Sequence, residues 1–328
     1  MKTVKLGIIG LGYVGKIHYR HCLKIPEAEL LAVADVSEKA LNRAKKDGVK
    51  KVFKSYEDLL KEPEIEAVVI ALPTHLHLQC AVQAAEAGKD IFLEKPMARN
   101  VKEAKEIIAA AEKNSVKLMI GYPLRFDKTL CSAKKQMEEG LIGDVVNANA
   151  TFVSSGPFFH RADGHAPVPV PDWWWNQELT GGGVLIDLGS HIINLLRWYF
   201  GEITDIKSYL GHRFNMDFED SAMCLAKFNS GTVVSINVGW FSQSYTLKLG
   251  FLGSVKSASA QHAPSNPLIM AMQMLITGRS KFRQPHLDEL KHFVHCLSDD
   301  VSPSSTGYDG LKDIEAIQMA YRNQISLE

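Results

Sequence analysis

The sequence predicts an α/β plus α+β fold: a doubly wound parallel sheet in residues 1–122, then a domain with a large, mainly antiparallel sheet in residues 123–328. Three observations predict it. Short apolar runs alternate with helical patterns up to residue 122, as in βαβ units. The first run leads into a glycine-rich turn that opens a helix. Beyond residue 122, strand-like segments follow one another without crossover helices, which indicates antiparallel pairing.

Composition limits the classes of function. The 328 residues are 46% hydrophobic and 23% charged, as expected for a globular protein with a large core. The net charge of zero argues against bulk binding to nucleic acid or to an anionic membrane. The chain shows no signal-peptide pattern and no run of about 18 apolar residues. Five widely spaced cysteines without a CxxC motif are typical of reduced thiols, so we predict a cytoplasmic protein. From the net charge and the apolar runs, we predict no nucleic-acid or membrane partners.

The N-terminal segment carries the pattern of a dinucleotide site. An apolar strand, Val4–Ile9, runs into Gly10-Leu11-Gly12-Tyr13-Val14-Gly15, and a helical stretch follows. In this GxGxxG arrangement the glycines permit a tight turn, a close approach of the pyrophosphate and close helix–strand packing. The next strand ends in Asp35, 20 residues past Gly15, where an acidic side chain binds the ribose hydroxyls. We predict a Rossmann domain that binds NAD, because Asp35 would repel a 2′-phosphate; NADP stays possible.

Two further strand ends contribute candidate residues, since ligands of parallel sheets bind beyond the carboxyl ends of the strands. Lys95 stands between Glu94 and Pro96, and the proline stiffens its backbone. The alternative for Lys95 is a surface lysine bonded to Glu94. His75 and His77 are either ribose or substrate contacts or polar helix-entry residues, and no third ligand supports a metal site there. The predicted cofactor contacts at these strand ends are Leu72, Pro73, Thr74, His75, His77, Glu94, Lys95 and Pro96.

The second domain centres on a glycine run, Gly181–Gly183, that feeds an apolar helix ending at Phe200. Asp187, His191 and Asn194 form a narrow polar stripe on this helix at positions i, i+4 and i+7. A buried carboxylate beside an imidazole is costly unless it is paired. The stripe therefore indicates either a hydrogen-bonded pair in the core or a catalytic pair.

An irregular segment precedes that helix. Residues 156–172 contain four prolines together with His160, Arg161 and His165, a composition typical of a binding loop or lid. Trp173-Trp174-Trp175 follows, and Trp174 is a candidate substrate contact because aromatic faces suit carbohydrate-like ligands. Core packing or a subunit contact remains the alternative for these tryptophans. Strands are predicted at 145–154, 206–210, 221–228, 232–240 and 246–251, a methionine-rich insertion at 261–282, and helices at 286–297 and 308–323.

The motifs together resemble the glucose–fructose oxidoreductase, inositol dehydrogenase and rhizopine-catabolism family (Gfo/Idh/MocA) over nearly the whole chain. The matching segments are GIIGLGYVG at 7–15, PTHLH at 73–77, GKDIFLEKPMA at 88–98, GYPLRF at 121–126, GLIGDV at 140–145, GGGVLIDLGSHIINLLRW at 181–198 and DELKHFVHCL at 288–297. The dinucleotide motif alone is unspecific. The combination of EKP with GGG and DxGxH, in this order, is specific.

The resemblance implies hydride exchange between a nicotinamide and a hydroxyl-bearing carbon of a sugar, cyclitol or sugar derivative. It implies that Lys95, Asp187 and His191 form the catalytic set and also contact the substrate. Tyr122 and Arg125 match a segment that lines the junction of cofactor and substrate in relatives. Many relatives carry Asp where this chain has Asn194, which puts the charge around the substrate in question. Relatives commonly form homodimers or homotetramers through the C-terminal sheet.

Three other functions are weighed against this one. A non-catalytic dinucleotide sensor or regulator of the same fold would be supported by a decayed catalytic set, but Lys95, Asp187 and His191 are all in place. A reductase of imines or dihydrodiols would use NADPH, which Asp35 disfavours. A hydrolase that uses its bound NAD transiently would be expected to show a different cofactor motif.

Overall fold

The computed structural model describes residues 3–158, 170–262 and 284–325. His160, Arg161 and His165 of the predicted loop, and most of the predicted methionine-rich insertion, lie outside the described residues. The chain divides into two compact units. The first comprises Met1–Pro123 and His286–Leu311, and the second comprises Leu124–Pro285 and Lys312–Glu328.

The first unit is built on a parallel sheet of six strands, as the βαβ alternation predicts. The strands are β1 (Val4–Ile9), β2 (Ala28–Ala34), β3 (Lys51–Phe53), β4 (Ala67–Ile70), β5 (Asp90–Glu94) and β6 (Leu118–Gly121). Their order is β3-β2-β1-β4-β5-β6, and every pair is parallel. The order reverses between β1 and β4, so the crevice for a ligand is expected at the carboxyl ends of these strands.

Five helices connect these strands, and their apolar faces cover the sheet. They are α1 (Tyr13–Cys22), α2 (Glu38–Lys46), α3 (Tyr56–Leu60), α4 (His77–Glu86) and α5 (Val101–Lys113). The strands are buried on both faces, which explains their nearly continuous apolar sequence. In α5, Ala104, Ile107, Ile108 and Ala111 are buried at helical spacing, and Asn100 caps its first turn.

The second unit contains the predicted, mainly antiparallel sheet. Its strands are β7 (Val145–Val153), β8 (Ile203–Gly211), β9 (Ser221–Phe228), β10 (Val233–Gly239), β11 (Thr246–Gly253) and β12 (Ser257–His262). Their order is β12-β11-β7-β10-β9-β8, and only β7 and β10 pair in parallel among these strands. The sequence did not predict β12, because Ser257-Ala258-Ser259-Ala260 has little β-propensity; pairing with β11 forms the strand.

The helices of the second unit include α6 (Lys128–Glu138), the short α7 (Gln177–Thr180) and α8 (Val184–Phe200). Helix α8 packs on the sheet, where Phe200 contacts Phe228 and Phe251 at ring-centroid distances of 5.6 and 6.2 Å. By length and composition, the stretch Gln177–Phe200 would be able to cross a membrane, in contrast to the sequence expectation. Because 72% of its most apolar window is buried inside the structure, it matches the core helix of a soluble protein equally well.

Two C-terminal helices follow, α9 (Gln284–Ser298) and α10 (Gly307–Arg322). A division at residue 122 places all of this region in the second domain, whereas His286–Leu311 belongs to the first unit. The physical reason is packing on the parallel sheet. The Phe293 ring lies 5.6 Å from that of Phe92, and the Ser305 hydroxyl donates to the carbonyl oxygen of Ile120 at 2.6 Å.

Candidate active site

The glycine turn after β1 fits a dinucleotide. A Cβ atom at Gly15 would overlap the carbonyl oxygen of Gly10, so glycine is required there for the helix to approach the strand. A Cβ atom at Gly12 would meet no protein atom within 4 Å. The space beside Gly12 is therefore open at the N-terminus of α1, where backbone N–H groups and the helix dipole favour a pyrophosphate. Tyr13 is exposed and Val14 is half-buried at the same helix start.

Asp35 is tied to this turn. Its Oδ2 accepts a hydrogen bond from the backbone N–H of Leu11 at 2.5 Å, and its Oδ1 accepts one from Ser37 at 2.7 Å. The half-buried carboxylate is thus fixed at the end of β2, next to the glycine turn. This placement fits the predicted contact with the ribose hydroxyls of NAD.

The strand end after β4 contains the predicted residues 72–77, which differ in exposure. Leu72, Pro73 and His75 are half-buried, whereas Thr74 is buried. His77 is only 1% exposed. Its Nε2 lies 2.9 Å from the carbonyl oxygen of Leu72, and its Nδ1 lies 3.0 Å from that of Pro96. His77 therefore braces two neighbouring strand ends, and its predicted cofactor contact is not tested.

The segment after β5 presents Lys95 above a buried carboxylate. Glu94 Oε1 lies 2.5 Å from Nε2 of His18, and Glu94 Oε2 accepts from the backbone N–H of Lys95 at 3.2 Å. Burial raises the pKa of Glu94, but the hydrogen bond and charge of His18, together with the charges of His286 and Lys95, hold that pKa below its usual value. Lys95 and Pro96 are half-buried, so the lysine stands at the strand end with a fixed backbone.

The glycine run before α8 allows the chain to lie close to Glu219. A Cβ atom at Gly183 would overlap the carbonyl oxygen of Glu219. The Glu219 side chain accepts from the backbone N–H groups of Gly183 at 3.3 Å and Leu185 at 2.9 Å, and from the Tyr321 hydroxyl at 2.8 Å. Glu219 thus caps the helix that carries the polar stripe. No sequence pattern pointed to Glu219, since it lies far along the chain in a segment without a recognisable motif.

Asp187 and His191 are the exceptions on a buried helix. From Gly182 to Arg197, a wholly described stretch, all residues except Asp187 and His191 are buried. Asp187 and His191 are half-buried. They lie one helical turn apart and therefore share a face of α8. The His191 ring lies 5.9 Å from that of Phe152 on β7. The two side chains are therefore only partly buried, on one face of α8.

The third member of the stripe has a different environment. Asn194 is 1% exposed; its Oδ1 accepts from Nε of Arg125 at 2.7 Å, and its Nδ2 donates to Asp313 Oδ2 at 2.7 Å. Asp313 also pairs with Arg197 at 2.6 Å. Two predicted residues, Arg125 and Asn194, are thus brought together. Their predicted ligand contacts remain predictions, as does that of Tyr122, whose side chain is 2% exposed in the first unit.

Trp174 belongs to an aromatic cluster. Its ring lies 4.7 Å from that of Trp240, 5.1 Å from that of Trp175 and 6.0 Å from that of Phe218. These contacts agree with the packing alternative and leave Trp174 half-buried. Its role as a substrate contact remains a prediction.

Comparisons with known proteins agree with the fold and with a dinucleotide cradle, which we define as the glycine turn Gly10–Gly15 together with Asp35. Residues 4–122 match the model of the oxidoreductase family with an NAD-binding Rossmann fold, and residues 131–259 match the C-terminal domain model of the GFO/IDH/MocA family. A myo-inositol 2-dehydrogenase from Thermotoga maritima is 26% identical and spans 99% of this chain and 96% of its own. An NAD(+)-dependent scyllo-inositol 2-dehydrogenase from Bacillus subtilis is 25% identical, again over 99% of this chain and 96% of its own.

A solved structure shares the fold over the same extent. The scyllo-inositol dehydrogenase of Lactobacillus casei, determined with NAD(H) and scyllo-inositol, aligns with a TM-score of 0.83 at 24% identity, over 98% of this chain and 97% of its own. The two family models together span most of the chain, and both domains match in the expected order. The protein therefore belongs to the GFO/IDH/MocA family of oxidoreductases with an NAD-binding Rossmann fold.

Proposed function

We propose that the protein is an NAD-dependent dehydrogenase that oxidises a hydroxyl-bearing carbon of a cyclitol or sugar, or reduces the corresponding carbonyl. The observation that carries the proposal is the half-buried pair Asp187 and His191, one turn apart on a helix whose other residues up to Arg197 are buried. The inositol dehydrogenases that match nearly the whole chain support the substrate class.

The proposed catalytic set is Lys95, Asp187 and His191. The nicotinamide, when bound in the first unit, supplies the acceptor or donor of a hydride. In the oxidation, His191 accepts the proton of the reacting hydroxyl as a general base. The Lys95 ammonium donates a hydrogen bond to the same oxygen and stabilises its developing negative charge. Asp187 orients His191 or binds a neighbouring hydroxyl of the substrate.

Kinetics with a substrate panel test this proposal. The purified protein is mixed with NAD and a set of inositols, sugars and sugar acids, and NADH absorbance is followed. Lys95→Ala and His191→Ala should each lower kcat by about 10²–10⁴-fold while NAD still binds. Normal kcat in either variant would remove that residue from the set. Tight NAD binding without turnover of any substrate would favour the alternative of a non-catalytic dinucleotide sensor.

Cofactor choice follows from Asp35. Its carboxylate, fixed by Leu11 and Ser37, disfavours the 2′-phosphate of NADP. We expect kcat/KM for NAD to exceed that for NADP. Asp35→Ser should lower the ratio of kcat/KM for NAD to that for NADP, because it removes the negative charge. An unchanged ratio would show that other residues decide the cofactor preference.

We further propose a homo-oligomer formed through the outer face of the second sheet. Tyr209, Met223 and Leu225 are 45%, 63% and 54% exposed, and Tyr209 lies opposite Met223 in the ladder. An exposed apolar patch of this kind favours association. Light scattering should give a dimer or tetramer, with Leu225→Glu shifting it to monomer and the neighbouring exposed Lys227→Gln leaving it intact. A monomeric wild type would contradict the proposal.

Cytoplasmic location is the accompanying proposal. All five cysteines are free thiols, which supports a reducing compartment. Fractionation of the source cells with an antibody to the protein would test it, and recovery from an oxidising compartment would contradict it.

A further inference from the structure

A buried cluster of titratable groups lies beneath Lys95 in the first unit. It joins His18 on α1, Glu94 at the end of β5 and Glu289 on α9, and one ligand atom of each lies within 4.8 Å of the others. The side chain of Glu289 has no exposed surface, and neither of its oxygens meets a hydrogen-bond donor in the part of the chain that is described. A buried carboxyl group in that state demands either a cation or a proton.

Aromatic rings pack around the cluster. The Phe92 ring packs edge-on against His18 at 5.0 Å, and Phe293 packs on Phe92 at 5.6 Å. His286 also faces His18, at a ring-centroid distance of 6.4 Å. Two carboxylates this close in a buried site strongly disfavour ionisation of both, so one of them is expected to hold a proton unless a metal ion lies between them.

The contact between His18 and Glu94 uses one carboxylate oxygen of the cluster. His18 Nε2 and Glu94 Oε1 lie 2.5 Å apart, so a direct hydrogen bond joins these two side chains. A proton on Glu289 would allow its carboxyl group to donate to Glu94. A divalent metal ion held by the three side chains is the alternative that metal analysis must exclude.

We propose that Glu94 and Glu289 share one proton, and that this pair, anchored by His18, positions Lys95 for the reaction. The link is short, because Glu94 uses Oε1 for His18 and Oε2 for the backbone N–H of Lys95. On the far side of Lys95, the carbonyl oxygen of Pro96 contacts the His77 ring. The lysine backbone is thus held from both sides by buried side chains.

Electrostatics agree with this assignment. Burial and the negative charge of Glu94 raise the pKa of Glu289 well above its usual value. The shared proton leaves one negative charge on the pair, which faces His18, His286 and the ammonium group of Lys95. Glu289 touches no reacting atom in this scheme, so it is a positioning residue.

Infrared spectroscopy tests the shared proton without any substrate. The difference spectrum between wild type and Glu289→Gln should contain the C=O stretching band of a protonated carboxylic acid at neutral pH. Absence of that band would overturn the proposal. So would one equivalent of a divalent metal in the wild-type protein that the Gln variant lacks. These two measurements do not depend on the proposed dehydrogenase activity.

Kinetics test the positioning, which rests on the proposed role of Lys95. Glu289→Gln keeps a donor towards Glu94 and should keep the wild-type kcat and pH profile. Glu289→Leu removes the donor and should lower kcat by about 10²-fold with an unchanged Kd for NAD. Lys291→Ala, an exposed residue on the same helix, is the matched control. Loss of kcat in the Gln variant, or wild-type kcat in a folded Leu variant, would overturn the positioning role.

Discussion

Arg125 and Asn194 are joined by a hydrogen bond of 2.7 Å from Nε to Oδ1, and the other side of the same amide donates to Asp313. The amide thus serves an arginine and a carboxylate at once, which neither an aspartate nor a leucine can do. This explains why an asparagine suits position 194 when Asp313 is its neighbour. Asn194 is therefore coupled to a second position on the last helix.

This coupling predicts a compensating pair of substitutions. Asn194→Asp places a carboxylate oxygen against Asp313 and should lower the free energy of unfolding by about 2 kcal/mol at pH 8. Asn194→Asp combined with Asp313→Asn restores one amide and one carboxylate and should recover most of that loss. Urea unfolding of both single variants and the double variant measures the interaction. Additive effects of the two substitutions would show that the residues are not coupled.

The glycine turn predicts opposite results for two alanine substitutions. Gly15→Ala forces overlap with the Gly10 carbonyl and should cost about 3 kcal/mol of stability. Gly12→Ala meets no protein atom within 4 Å, so the protein should unfold at the wild-type Tm. The added methyl group occupies the space for the pyrophosphate, and the Kd for NAD should rise at least about tenfold. Calorimetry gives both quantities, and wild-type affinity in Gly12→Ala would place the cofactor elsewhere.

The cap that Glu219 forms on α8 predicts that two substitutions at this position lower stability to different extents. Glu219→Ala removes the acceptor of three hydrogen bonds and should cost about 2–3 kcal/mol and lower kcat, because the helix start that carries Asp187 loosens. Glu219→Gln keeps Oε1 for Leu185 and Tyr321 and should cost less. Denaturant unfolding and kinetics on the same samples compare the two. Equal losses in both variants would argue against capping.

The same carboxyl group predicts a pH dependence. Burial raises the pKa of Glu219 above its usual 4.5. The stability linked to this group is fully present below pH 4.5 and is lost as pH rises through the folded-state pKa. Wild type should therefore lose stability relative to Glu219→Gln as pH rises above 4.5. A difference that is constant between pH 4 and 8 would contradict the raised pKa.

Asp127 predicts a pH dependence of stability opposite to that of Glu219. Burial raises its pKa, but the hydrogen bond and charge of His262, at 2.7 Å, outweigh it, together with two N–H groups at the start of α6. The folded-state pKa lies below 3.8, so the contribution is present above pH 3.8 and is lost as pH falls through the folded value. Asp127→Asn should be about 1 kcal/mol less stable at pH 7 and show a smaller further loss in acid. Acid unfolding followed by circular dichroism measures this.

The sequence by itself determined the fold class of both domains and pointed to the candidate site residues. Apolar runs of strand length separated by amphipathic helices specify a parallel sheet, and the spacing from Gly10 to Asp35 specifies the cradle, because both patterns act over short stretches of chain. The polar stripe of Asp187 and His191 was also visible, since helical periodicity is local.

Only the tertiary structure decided which polar groups are used internally. Helix α9 packs on the first unit through Phe293, and β12 forms through pairing with β11, although neither follows from local sequence. Glu219, Asp313 and Glu289 find their partners across 36, 119 and 195 residues, and no local pattern encodes such contacts. Burial of a polar side chain depends on the whole fold. The tertiary structure thus showed that Asp187 and His191 stay accessible while Asn194 and His77 do not.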